Sequence, residues 1–337
     1  MATNREPDMK RLRIAVVGPG RISRAHLTAI RNNGDVAELA VIAGLPEEAE
    51  RTRALAAEFG AGAASDDFDA VLADPSIDAV VLTLPNHLHK EAAVKSLDAG
   101  KHVLVEKPLA NTVQEADAMI ASAGRNGRVL MTAQCRRFFP AALEARRRVG
   151  ELGRPLSIVH VLGVNVERAQ ADWWRSAQKT GGLALGLNGP HVIDTILWLI
   201  GERPTRVFAQ TGHLKRGDWE GEDEATVSIA FADGSLATGH LSFNMRPDTN
   251  ERWICGPNGT LRLEHDRSLW IGQDPLVEKQ WTPYIDGDES FDGQFREFAN
   301  AINEGRAPLA SAEEVRTVVE VLSAAAQSAR SGLPVDL

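Results

Sequence analysis

The sequence predicts an α/β fold in two parts: a doubly wound parallel sheet, then a second unit whose sheet is antiparallel with one face on helices. Three observations carry that expectation. Strand and helix patterns alternate at βαβ spacing from Ile14 to Ala133. A glycine turn, Gly18-Pro19-Gly20, follows the first apolar strand and opens a helix. Beyond Pro140 short strands are joined by Asp233-Gly234 and Asn258-Gly259, both hairpin turns.

Taken in order, Ile14 to Val17 is a β-branched strand and Ile22 to Arg31 a helix; Leu39 to Ala43 is a second strand. Glu47 to Phe59 reads as a charged amphipathic helix, Asp67 to Ala73 as another, and Ala79 to Leu84 as a strand. A helix over His89 to Ala99 leads to the strand Val103 to Val105, which runs into Glu106-Lys107-Pro108. Thr112-Val113-Gln114-Glu115 is a capping box that opens the next helix, and Arg128 to Ala133 gives one more strand. Residues 1–133 are therefore expected to form the dinucleotide-binding domain and 134–337 the second. In the latter, Ala141 to Val149 is a helix and Leu156 to Val164 a strand, and an apolar helix carries His191. The strands Arg206 to Thr211, Ala225 to Phe231, Leu236 to Phe243 and Thr260 to Leu263 follow. Two closing helices, Phe291 to Glu304 and Ala312 to Ser331, are free to pack back on the first domain.

A hydrophobic content of 43% and a charged content of 25% are those of a globular protein. The net charge of -9 argues against nucleic acid as a partner, because phosphate binding wants a basic face. Two cysteines, Cys135 and Cys255, lack metal-site spacing and indicate neither a disulfide framework nor a metal site. The polar start and the interruption of Leu183 to Ile200 by Asn188, His191 and Asp194 favour a cytoplasmic protein with no membrane span.

The glycine turn Gly18-x-Gly20-x-x-Ser23 lets a pyrophosphate approach backbone N–H groups at a helix start, over Gly18, Gly20, Arg21 and Ile22. A plain strand-to-helix turn is the simpler alternative, and the βαβ context favours the dinucleotide. The second strand ends in Gly44 rather than in an acid that would hold ribose hydroxyls, which leaves NAD against NADP open. No basic residue stands at Gly44 or Leu45 to receive a 2′-phosphate, a slight lean to NAD. Thr83, Pro85, Asn86 and His89 lie at the carboxyl end of a central strand, where Asn86 can meet a ribose and His89 either a ligand or a helix cap. Lys107, just past another strand end, can anchor a phosphate, form a Schiff base, polarise a substrate hydroxyl, or simply be solvated. Asp194 reads as a core carboxylate bonded internally.

These motifs, in this order, resemble the Gfo/Idh/MocA family (glucose-fructose oxidoreductase, inositol dehydrogenase, rhizopine catabolism). The resemblance runs through Gly18-x-Gly20, Pro85-Asn86-x-x-His89, Glu106-Lys107-Pro108, Arg136-Arg137-Phe138-Phe139-Pro140, Trp174-Arg175, Gly189-x-His191-x-x-Asp194 and Glu222-Asp223. It implies a Rossmann domain followed by an α/β domain with an open, mostly antiparallel sheet that joins homodimers or homotetramers. It also implies hydride transfer between NAD or NADP and a carbon of a sugar-like or inositol-like substrate. Glu106 and Lys107 then border the nicotinamide, and Lys107 and His191 are the catalytic pair. Arg136, Trp174, Leu187, Asn188 and His191 are expected to border the substrate. The family places an aspartate four residues before this histidine; here that position is Leu187, expected to line the pocket beside His191 on a single helix. Asn188 and Asp172 are candidate substitutes, and the chain's single tyrosine, Tyr284, is remote in sequence. Two rival activities accompany this departure: a redox-neutral elimination or cleavage that uses the same cofactor, and a non-catalytic dinucleotide or sugar-binding regulator.

Overall fold

Six parallel, predominantly apolar strands build the first sheet. The structure, a computed structural model, describes residues 10–215, 218–279 and 287–337. Strands β1 (Leu12–Val17), β2 (Ala37–Ala43), β3 (Ala63–Ser65), β4 (Ala79–Leu82), β5 (His102–Glu106) and β6 (Leu130–Ala133) lie in the order β3-β2-β1-β4-β5-β6. The central ones are buried on both faces, as apolar runs in a parallel sheet require. Helices α1 (Ser23–Asn32), α2 (Ala49–Phe59), α3 (Phe68–Ala73), α4 (His89–Asp98) and α5 (Val113–Asn126) connect them. The capping box on Thr112 and Glu115 is formed. The short β3, three residues of Ala-Ala-Ser, carries too little apolar signal to be read in advance.

After α6 (Pro140–Arg148) come β7 (Ser157–Asn165) and two short helices, α7 (Ala177–Thr180) and α8 (Ala184–Leu187), before α9 (Gly189–Ile200). Strands β8 (Pro204–Gly212), β9 (Glu224–Phe231), β10 (Leu236–Ser242), β11 (Asn244–Gly256), β12 (Gly259–Glu264), β13 (Ser268–Ile271) and β14 (Asp274–Val277) follow. Helices α10 (Glu289–Glu304) and α11 (Ala312–Ser331) and the two-residue β15 (Val335–Asp336) complete the described chain. The second sheet runs β14-β13-β12-β11-β7-β10-β9-β8-β15 and is antiparallel except where β10 pairs with β7. The hairpins at Asp233-Gly234 and Asn258-Gly259 form. The long β11 escapes the sequence reading because its first half, Asn244 to Asn250, is polar and contains Pro247; a register irregularity between Asn244 and Thr249 accommodates that proline.

Two of these elements tie the parts together. Phe291, Phe295 and Phe298 of α10 enter the same apolar cluster as Ile14 and Val16 of β1 and Leu27 of α1. Helix α11 packs on α5, β8 and α9 at once. Arg137 adds a polar tie: it grips Asp194 with two parallel bonds, Nε to Oδ2 at 2.8 Å and Nη2 to Oδ1 at 2.6 Å, and donates to Glu314 of α11 at 2.8 Å. Asp194 is thus a structural carboxylate, as its sequence context suggests.

The apolar stretch from Leu183 to Ile200 is not one helix. It breaks at Asn188, where the segment 177–187 meets α9 at 48°. Pro190 in the first turn of α9 is the physical cause: it has no N–H to donate, and its ring excludes the carbonyl four residues back, so α8 cannot continue into α9. Among the described residues no single helix is long and apolar enough to cross a membrane.

Candidate active site

The glycine turn sits at the carboxyl edge of the parallel sheet, and each residue in it has a spatial reason. Gly18 takes φ +99°, and a Cβ there would come 2.7 Å from the Thr83 carbonyl oxygen. Thr83 in turn donates through Oγ1 to the carbonyls of Val17 (3.0 Å) and Gly18 (2.6 Å), so it props the turn. Gly44 faces Thr52 and Pro19, with 2.5 Å from a would-be Cβ to Thr52 Oγ1. Gly20 differs: a Cβ there would meet nothing of the protein nearer than 3.9 Å. Space is therefore open over Gly20, while Ser23, fully buried, closes the turn by donating to the Gly20 carbonyl at 2.6 Å. No side chain caps α1; the N–H groups of Ser23, Arg24 and Ala25 donate back to the carbonyls of Gly20, Arg21 and Ile22, which leaves the N–H groups of the turn itself, Gly20 to Ile22, to an anion. This cradle fits the pyrophosphate of a dinucleotide across Gly18, Gly20, Arg21 and Ile22.

Three residues expected to face the cofactor turn inward or across instead. His89 is fully buried, with Nδ1 2.7 Å from the Pro108 carbonyl and Nε2 2.9 Å from the Leu84 carbonyl. Burial lowers the pKa and keeps the ring neutral, so one nitrogen donates to one of these oxygens and the other is walled in beside the second; the ring braces the turns after β4 and β5 and is closed to a ligand. Asn86 donates from Nδ2 to the Thr180 carbonyl at 3.0 Å, a link from the turn after Pro85 to α7. Glu106 is 7% exposed: Oε1 meets His26 Nε2 at 2.8 Å and Oε2 accepts from the Lys107 main-chain N–H at 2.9 Å. Burial pushes its carboxyl up, but His26 and Lys107 outweigh that and hold it below the usual range.

Lys107 follows β5 directly, and its Nζ donates to the Leu187 carbonyl at 3.0 Å. That carbonyl is available because α8 ends there. Burial lowers the affinity of the ammonium for its proton, Glu106 opposes this, and Arg136 and Arg21 add to it. His191, in the first turn of α9, is 7% exposed, and its Nδ1 is buried with no hydrogen-bond partner among the described residues. Burial, then Lys107, Arg136 and Arg252, push its pKa well below the ordinary value, so the ring is neutral at neutral pH. Leu187 corrects the sequence reading. It belongs to the apolar core at 5% exposure, and its part in the site is its main-chain oxygen. Asn188, at the break itself, has a buried Nδ2 with no partner among the described residues. Asp172 is exposed, Trp174 packs against Trp173 and Phe243, and Tyr284 lies outside the described residues.

Behind His191 lies a polar group that the sequence reading missed. Register places Gly239, His160 and Arg252 side by side on the face covered by α9, where a Cβ on Gly239 would come 2.6 Å from Val192. Arg252, fully buried, pairs with Asp266, which also accepts from Arg136 Nη1 and, at 2.7 Å, from Asn250 Nδ2. Asn250 Oδ1 in turn meets His160 Nε2 at 3.1 Å. Burial raises the Asp266 carboxyl, but Arg252 and Arg136 outweigh it and hold it at about 2. The one advance signal was strand alternation. Arg252 stands next to Trp253 in β11, and whichever faces outward sends the other in. Among the described residues no group of three His, Cys, Asp or Glu is arranged to hold a metal.

A phosphate cradle at the edge of a doubly wound sheet, with a lysine and a neutral histidine at the seam to a second sheet, defines a dinucleotide-binding oxidoreductase. The chain belongs to the Gfo/Idh/MocA family. Residues 12–134 match its oxidoreductase family model with an NAD-binding Rossmann fold, and residues 141–262 match its C-terminal domain. The chain is 29% identical to 4-carboxy-2-hydroxymuconate-6-semialdehyde dehydrogenase of a Sphingobium species, over 92% of this chain and 96% of that one. It is 27% identical to scyllo-inositol 2-dehydrogenase (NAD(+)) of Bacillus subtilis, covering 97% and 96%. Among solved structures, levoglucosan dehydrogenase in complex with NADH and L-sorbose superposes with a TM-score of 0.88 at 26% identity, over 97% and 99% of the two chains.

Proposed function

We propose that the protein is an NAD(P)-dependent dehydrogenase acting on a CH–OH group of a sugar-like or polyol-like substrate, with Lys107 and His191 at the reacting carbon. The carrying observation is that Lys107, anchored on the Leu187 carbonyl, and the neutral His191 flank one break between helices. Oxidation of a carbinol takes a hydride from carbon and a proton from oxygen; a bound nicotinamide supplies the hydride acceptor. Lys107 donates to the substrate oxygen and polarises it, and neutral His191 accepts the proton. A screen of sugars and inositols, followed by the absorbance of reduced nicotinamide, tests this reading. Lack of turnover on every member in both directions overturns it.

NAD is the proposed cofactor. The support is that Glu48 accepts from the Leu45 N–H at 3.1 Å just past β2, an acidic group near the strand end that favours ribose hydroxyls over a 2′-phosphate. Tighter binding of NADP by about tenfold or more reverses the choice.

A homo-oligomer through the second sheet is proposed on the make-up of its open face. One register row runs Phe208, Ser228, Thr238, Val159, Trp253, Arg262 and Trp270 across seven strands. Phe208, Val159 and Trp253 in that row are exposed, as is Leu236 of the same face, and Arg262 stacks between Trp253 and Trp270. Trp253→Glu is expected to lower the oligomer size by light scattering; an unchanged mass rejects this face.

A further inference from the structure

Open donor protons gather on two side chains at the site. Lys107 Nζ has three protons and one described acceptor, the uncharged Leu187 carbonyl. Asn188 Nδ2, two protons more, is buried without a partner among the described residues. His191 Nδ1 is also buried without a partner among the described residues, and in a neutral ring one nitrogen donates and the other accepts. The nearest carboxylate, Glu106, has one oxygen on His26 and the other on the Lys107 main chain. The next, Asp266, is gripped by Arg252, Arg136 and Asn250. The charged groups that act most strongly on His191 are Lys107, Arg136 and Arg252, all cations. A neutral polyol would place hydroxyls here that both donate and accept, and would add no negative charge where two carboxylates, Glu106 and Asp266, face the three cations Lys107, Arg136 and Arg252. An anion has only acceptor oxygens and supplies that charge.

We propose that the substrate carries a carboxylate close to the reacting carbinol, a hydroxy acid such as an aldonate or uronate, held by Asn188 Nδ2 and one proton of Lys107 Nζ, with the carbinol oxygen between the remaining Lys107 proton and His191. Residue 187 brings no carboxylate to the ligand: its side chain lies in the apolar core and its main-chain carbonyl only orients the ammonium. The inference rests on the proposed hydride transfer for the place of the carbinol, and on the donor set alone for the charge.

The test is equilibrium binding to the full chain loaded with NADH, read by the fluorescence of the bound nucleotide. Matched pairs serve as probes: D-gluconate against D-glucitol, D-galacturonate against D-galactose, and glycolate against ethylene glycol. Charge-assisted hydrogen bonds exceed neutral ones enough to make the acid of at least one pair bind on the order of ten- to a hundredfold tighter. That preference is expected to vanish in Lys107→Met and to persist in Lys107→Arg, with NADH affinity in each variant as the check on folding. Acids that bind no tighter than their neutral partners in all three pairs, or that do not bind at all, overturn the proposal. Turnover separates the two readings. Oxidation of neutral polyols without acid preference sinks the carboxylate and keeps the dehydrogenase, whereas acid preference without turnover of any compound does the reverse.

Discussion

Asp266→Asn isolates the charge that holds the buried arginines beside the site. Asp266 sits at φ +61°, a left-handed conformation that asparagine adopts as readily as aspartate, so the backbone should not move. The amide keeps a carbonyl for the bonds from Asn250 and Arg136, loses the negative charge, and turns an NH2 donor toward Arg252 in place of an acceptor oxygen. Removing one partner of a buried pair costs about 3–5 kcal/mol. The carboxyl gives a second route to the size: a fall from 3.8 to about 2 corresponds to roughly 2–3 kcal/mol of preference for the ionised form. Loss of about 3 kcal/mol is therefore expected at neutral pH, read as a lower denaturant midpoint. The sign with pH follows from linkage. The folded-state pKa lies below the unfolded one, so the stabilisation is complete above about pH 4 and fades as pH falls toward 2. The gap between wild type and variant should shrink to about half by pH 3. A variant within about 0.5 kcal/mol of wild type at neutral pH, or a gap that grows on acidification, refutes the reasoning.

Lys107→Met keeps the length of the side chain and removes its donors; turnover should fall by about two orders of magnitude or more while NAD affinity changes little, and unchanged turnover would leave a purely structural lysine. Leu187→Asp should lower the denaturation midpoint by the equivalent of about 2–4 kcal/mol without raising activity, since it drives a carboxyl into an apolar cluster; a stable, more active variant would place residue 187 in the pocket. Gly18→Ala and Gly20→Ala should separate cleanly. The first strains a φ of +99° against the Thr83 carbonyl and unfolds more easily, whereas the second keeps its stability and loses dinucleotide affinity. Equal stability losses in the two would refute the open space over Gly20. Dehydrogenase activity should fall as pH rises through the Lys107 pKa, which burial sets below the ordinary lysine range, because the polarising ammonium is lost there; the inflection in kcat is absent in Lys107→Met.

Periodicity along the chain determined the parallel sheet, its connecting helices, the glycine turn and the position of Lys107, because those depend on local patterns: apolar runs, caps and turn residues. The same reading assigned Asp194 to the core and located two hairpins. It failed where one proline or one alternation decides between neighbours. Pro190 breaks the helix that would have set Leu187 beside His191, and so turns residue 187 from a side-chain ligand into a carbonyl anchor for Lys107. His89 and Glu106 stand in the motif next to the cofactor turn, yet their atoms are consumed by Leu84, Pro108 and His26, partners 5 to 80 positions away in sequence. Arg252, Asp266, Asn250 and His160 come from a polar strand, a turn and a strand that no local pattern connects. Only the register of β7 on β11 and the weight of α9 above them force these groups out of water and into one another's company. Burial is a property of the assembled layers, and with it come the neutral histidine, the depressed lysine and the carboxylate held at about 2.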